Sequence, residues 1–127
     1  MLEKFDDFLN RTRGNKNKKV KTKDIGREGF HHFVVEEYTV KQQSNNPEKF
    51  YIIERLRRTH TTGKIVADLN KADVEYRIGY YMVGKNGRMD GKWTWGQYTP
   101  MIPVEDFWGL IDQAKKEGTI KHQDFSI

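Results

Sequence analysis

Lysine, arginine and tyrosine are the residues of this 127-residue chain whose types and spacing suggest chemistry. Lys16, Lys18, Lys19, Lys21 and Lys23 crowd one short run, and Arg55, Arg57 and Arg77 fall in stretches that also carry Tyr51 and Tyr81. Cationic side chains neutralise phosphates and release condensed counterions, while tyrosine rings offer a face on which unpaired bases stack. Lys92, beside a glycine-rich turn, adds another candidate phosphate contact. The plainer reading of the same residues is that Tyr and Trp fill a core or a dimer interface and the arginines coat a solvated strand.

Catalytic patterns are sparse. With no cysteine, disulfides, thiolate metal sites and Cys nucleophiles are all excluded. His31 and His32 are adjacent, so on a strand they point to opposite faces, and they would meet His60 or His122 only by a chance of tertiary folding. His60-Thr61-Thr62 makes His60 and Thr62 candidates for a phosphoesterase, but it is one His-x-Thr where a two-histidine enzyme needs two. Glu36, Glu37, Glu54, Asp68 and Asp73 could serve a metal-dependent nuclease, yet no second acid and lysine fall at a supporting spacing. Edge protection and solvated turns account for those acids. There is no P-loop, no Gly-x-Ser-x-Gly and no dinucleotide-binding glycine pattern after a strand. Neither a metal nor a cofactor is expected.

Charge is unevenly placed. Residues 1–29 hold nine Lys/Arg against five Asp/Glu, whereas the whole chain carries 23 against 18. No apolar run approaches the length of a membrane span, and the acid-bearing start lacks the apolar stretch of a secretory signal. The expectation is a cytoplasmic protein without a membrane partner.

The elements that must position these side chains follow from periodicity. A single domain is expected. Leu2, Phe5, Phe8 and Leu9 share a helical face, giving a short helix over 2–13. Residues 14–29 are too polar to order themselves and read as a basic flexible arm. Residues 30–99 read as an antiparallel sheet, with strands at 30–41, 50–58, 64–69, 74–83 and from Trp93 to the prolines that follow. Pro47 is expected to bar strand continuation, Thr59–Lys64 to form a hairpin turn, and Asn86-Gly87 or Asp90-Gly91 another. Val104, Phe107, Trp108, Ile111 and Ala114 recur at helical spacing, so 103–118 is an amphipathic helix capped by Gly118. Residues 119–127 form a tail. The fold class is therefore α+β: a five-stranded antiparallel β-meander, a short N-terminal helix, and a C-terminal helix packed on one face. The opposite face would be left open, carrying Arg77 and Tyr81 beside Tyr51, Arg55 and Arg57 if the registers match.

One stretch has a family likeness. Arg77 leads into Tyr80-Tyr81-Met82, a turn holds Gly87, Met89 and Gly91 before Lys92, and Pro103 opens a helix with Glu105, Phe107 and Leu110. This run resembles the single-stranded-DNA-binding core of the positive-cofactor-four family of transcriptional coactivators, and the lysine-rich segment resembles that family's basic arm. The N-terminal helix, the strand at 30–41 and the Trp93-Trp95 strand have no counterpart in it. The resemblance implies a curved sheet, a helix-mediated homodimer and binding of unpaired strands by Lys/Arg and aromatics.

The leading expectation is thus a non-enzymatic module for single-stranded DNA or RNA, with little sequence preference. Its ligands would be Lys16, Lys18, Lys19, Lys21, Lys23, Arg55, Arg57, Arg77 and Lys92 for phosphates, and Tyr51 and Tyr81 for bases. The competing expectations are a protein-interaction or inhibitor module, for example phage-encoded, docking an aromatic face on an acidic partner, and a nuclease or phosphoesterase. A homodimer through the C-terminal helix or the sheet face fits either binding role.

Overall fold

Strand-forming residues dominate the middle of the chain, and each strand pairs with its neighbours in sequence. The computed structural model describes residues 1–14, 18–65 and 73–124. In order these are α1 (Phe5–Arg13), β1 (Lys19–Lys23), β2 (Gly29–Gln43), β3 (Asn46–Gly63), β4 (Val74–Val83), β5 (Trp93–Trp95) and α2 (Val104–Glu117), with 3-10 turns at Gly87–Met89 and His122–Asp124. The sheet order is β1-β2-β3-β4-β5 with every neighbouring pair antiparallel, which is the expected meander of the α+β class.

Strand membership differs from expectation. Lys64 and Ile65 lie outside any strand, and the rest of the expected strand 64–69 lies outside the described residues. The fifth strand is instead β1, within the run read as a flexible arm. Its sequence KVKTK alternates, so Val20 turns inward against Phe33 and Leu56 while Lys19, Lys21 and Lys23 turn outward. Composition alone hid this, because a strand needs one buried residue in two and a partner for its main chain. Pro47 does not stop β3 either. It falls in an irregularity between the pairs Gln43↔Asn46 and Gln42↔Phe50, where no amide is required of it. At the other end β3 runs through Thr59–Thr62, and the chain turns only at Gly63, whose φ of 75° favours glycine.

Pairing register assigns the side chains to two faces. Tyr51 pairs with Tyr80 and Ile53 with Ile78, and onto this face α2 lays Leu110 and Ala114. Phe50 pairs with Tyr81 and Ile52 with Gly79, and onto that face α1 lays Phe5, Phe8 and Leu9, together with Trp93 and Val83. Both faces of the β3–β5 region are therefore covered. The open face expected opposite α2 is closed by α1, a helix too short to persist alone but held by an aromatic cluster in which Phe5 stacks on Phe50 at 3.9 Å.

Gly118, with φ of 83°, ends α2 by donating to the carbonyls of Ala114 and Lys115, as its position predicts. The tail returns over the sheet. Ile120 joins the α2 core cluster, and the turn at His122–Asp124 sets Asp124 against Arg55 and Tyr76.

Candidate nucleic-acid interface

The part of the sheet left open lies on the same face as α2, beyond the reach of the helix. Alternation from β1 through β3 brings Lys19, Lys21 and Lys23, then Phe30, His32 and Val34, then Arg57, His60 and Thr62 to this side. Two irregularities set this register, one between His32 and Phe33 and one between Val35 and Glu37. The first lets His60 face His32 while Arg57 still faces Val34. Gly29 and Gly63 pair at the strand ends; at Gly29, with φ of 141°, an added Cβ would sit 2.1 Å from the Thr62 carbonyl oxygen. Only glycine permits that approach.

The turn joining β1 to β2 is held by Asp24, whose carboxylate accepts from the amides of Gly26 and Arg27 at 3.0 and 2.8 Å. The Arg27 side chain above all, then His31 and the two amides, hold its carboxyl well below the usual range. His31 thus serves the turn on one face, and His32 serves the open surface on the other.

His32 and His60 stack with ring centroids 4.1 Å apart and planes 9° off parallel. Their meeting is a consequence of β2–β3 register, not a tertiary chance. His32 Nε2 lies 3.2 Å from the Thr62 hydroxyl. Thr59 donates its hydroxyl to the His32 carbonyl at 3.2 Å, and its Oγ1 lies 2.9 Å from His60 Nδ1. Partial burial first, then the nearby His60 and Lys21, depress the His32 pKa, so it is neutral at pH 7. The fixed positive charge here belongs to the lysines. Lys21 Nζ sits 4.2 Å over the Phe30 ring, and a groove of about 340 Å³ is lined by Lys19, Lys21, His32, Val34, Thr59 and His60.

Several expected ligands are elsewhere. Tyr51 and Tyr81 are buried on opposite faces; the Tyr51 hydroxyl bonds Gln43 and the Met101 carbonyl, while Tyr81 accepts from Arg13. Neither can stack a base. Arg55 is 1% exposed and holds Glu36, Tyr76 and Asp124. Arg77 faces the α1 side and binds Glu54 at 2.7 Å. The set therefore never shares a face, because Tyr51, Arg55 and Arg57 pair with Tyr80, Tyr76 and Val74, one position out of phase with Tyr81 and Arg77. Arg57 does reach the open surface, half exposed and paired with Glu36 at 3.1 Å. Lys92 is exposed in the turn before β5, at the far edge of the sheet. Lys18 precedes β1 and lies among Arg13, Glu54 and Arg77. Lys16 lies outside the described residues. Sequence reasoning missed Phe30 and His32 as site residues; the alternation FHHFV held the signal, but only the register to β3 gives it meaning.

The acids do not assemble a metal site. Glu36 pairs with Arg55 and Arg57, Glu54 with Arg13 and Arg77, Asp73 with Arg58, and Asp68 lies outside the described residues. Among the described residues, no three His, Asp or Glu side chains come together as metal ligands. No described helix is long and apolar enough to cross a membrane. Compared with protein-family models, curated proteins and solved structures, the chain matches none.

Proposed function

We propose that the protein binds single-stranded nucleic acid, with little sequence preference, along the open end of its sheet. The supporting observation is the β1 array: three exposed lysines projecting from one face of an edge strand, beside a stacked histidine pair and the Phe30 ring. Lys19, Lys21, Lys23 and Arg57 attract phosphates, and Phe30 with the histidine stack presents flat surfaces to bases. Nothing there reads base edges in a fixed pattern, which is why sequence preference is small. Fluorescence anisotropy of labelled oligonucleotides across a salt series tests this. Each phosphate neutralised on a single strand adds about −0.7 to the slope of log affinity against log salt, so three or four contacts give roughly −2 to −3. The Lys19→Glu/Lys21→Glu double variant is expected to lower affinity at least tenfold and flatten the slope by roughly 1.4. Affinity indifferent to salt removes the proposal.

A second reading has its own observation. Tyr98, Met101, Val104 and Trp108 are 80%, 83%, 73% and 59% exposed along the approach to α2 and its outer side. Large apolar side chains exposed in series suit a protein interface, and we take the partner to be a second copy of the chain, docked through α2. Sedimentation equilibrium should then show a concentration-dependent dimer that Trp108→Glu makes monomeric. A monomer at every concentration excludes this reading and leaves the first intact.

A further inference from the structure

On the α1 side of the sheet, positive charge outnumbers negative beside a shallow, open groove. Arg13, Arg77 and Lys18 gather around one carboxylate, that of the fully buried Glu54. Glu54 divides itself between two partners: Oε2 accepts from Arg13 Nη1 at 2.8 Å and Oε1 from Arg77 Nε at 2.7 Å. Arg13 Nε donates to the Tyr81 hydroxyl at 2.8 Å, while its buried Nη2 finds no hydrogen-bond partner among the described residues. Lys18 forms no ion pair among them, and burial, then repulsion from Arg13, lower its pKa against the pull of Glu54. Glu37 lines a separate hollow with Arg13 and Tyr38, and among the described residues no ion pair joins it to the three cations. Among the described residues, three cations and one carboxylate leave two positive charges without a paired counterion.

The opening beside this cluster is a groove of about 460 Å³, lined by Thr12, Lys18, Arg77, Tyr81, Thr94 and Trp95 among others. Arg77 is one-third exposed there, its guanidinium 5.0 Å from the centre of the Trp95 ring. Gly79 allows this: a Cβ at that position would stand 2.4 Å from the Trp95 ring, so only glycine lets the indole lie against β4.

We propose that this groove is a second binding site, for a phosphate group, with Lys18 and Arg77 as its charged contacts. A phosphate monoester carries about −1.5 to −2 charge at pH 7, which matches the unbalanced charge of the cluster. Arg13 is a positioning residue: by sharing Glu54 it prevents that carboxylate from fully neutralising Arg77. The phosphate is either that of a small phosphorylated molecule or one belonging to a bound strand.

Trp95 reports on the site directly. Inorganic phosphate, adenosine monophosphate and an oligonucleotide would each be titrated into the full-length chain at low ionic strength, with chloride at matched ionic strength as the control. A saturable change in tryptophan emission with phosphate or the monophosphate is expected. Lys18→Gln, an exposed change outside every strand, should weaken it about tenfold, in line with loss of one charge-assisted contact. If the oligonucleotide displaces the monophosphate, the site takes a strand phosphate; if it does not, the ligand is a small phosphorylated molecule. The Lys19→Glu/Lys21→Glu variant separates this site from the open lysine surface: it should lose the oligonucleotide there and keep the response to inorganic phosphate. No saturable change with any of the three, or a response unaltered in Lys18→Gln, overturns the proposal.

Discussion

Arg55 and Arg57 stand two residues apart on β3 and share a face of the sheet, yet they live in different environments. Arg55 is 1% exposed and bound to Glu36, Tyr76 and Asp124, whereas the Arg57 side chain is 47% exposed and meets Glu36 at the same Oε1 that Arg55 uses. The difference is coverage. The turn at His122–Asp124 closes over Arg55, and α2 closes the strand further along, but the sheet continues past both toward β1. The same contrast separates Tyr51 and Tyr81, locked between helices and sheet, from Phe30 and His60 at the uncovered end. Identical residue types build the core at one end of the sheet and a charged surface at the other.

Breaking the closed end should cost most. Glu54→Gln removes the carboxylate that Arg13 and Arg77 share and leaves a buried guanidinium without its counter-charge. Losing one partner of a buried ion pair costs about 3–5 kcal/mol, a substantial fraction of the roughly 5–15 kcal/mol that holds a domain folded, so the urea midpoint should fall by a similar fraction. A midpoint near that of the native chain would mean the cluster is hydrated and the α1 face is not closed.

Substituting the two arginines sharpens the comparison. Arg55→Ala strands Asp124 and Glu36, which are partly solvated, and should cost about 1–3 kcal/mol in urea unfolding. Arg57→Ala should stay within about 0.5–1 kcal/mol of the native chain, as exposed ion pairs do, while weakening oligonucleotide binding and reducing its salt slope by roughly 0.7. Equal losses of stability at the two positions would erase the distinction between the ends.

The legibility of the fold in the sequence follows the same division. The α2 helix was readable because six apolar residues, two acids at its start, two lysines at its end and Gly118 all agree. β4 was readable from alternation alone. β1 was not, since KVKTK has one apolar residue in five and reads as a solvated tether until Phe33 and Leu56 are placed against Val20. Among the expected contacts, Lys19, Lys21, Lys23 and Arg57 do lie on the open surface, but face assignment failed for Arg77 and Tyr81. Faces depend on which residue opposes which across strands, and neither β3 nor β4 alone reveals that Tyr51 and Arg55 oppose Tyr80 and Tyr76, one position out of phase with Tyr81 and Arg77.

The smallest effect expected is a pH dependence at the lid of the closed end. Burial opposes ionisation of Asp124, but hydrogen bonds from Arg55, Tyr76 and the Lys121 amide outweigh it and hold the carboxyl at about 2, against 3.8 for the unperturbed group. A folded-state pKa below the unfolded value means stabilisation that is complete above about pH 4 and lost as pH falls from there toward 2. The side chain is 14% exposed, so solvent screening reduces the effect to the order of 1 kcal/mol. Asp124→Asn should remove that part of the acid dependence while leaving oligonucleotide affinity at pH 7 unchanged, because the carboxylate answers to Arg55 and not to the lysines of β1. Urea unfolding at pH 6, 4 and 3 would read the difference between the two chains. A native chain whose stability runs parallel to that of the variant across this window would show that the turn at His122–Asp124 does not hold Arg55 in place, and the buried state of Arg55 would then need another cause.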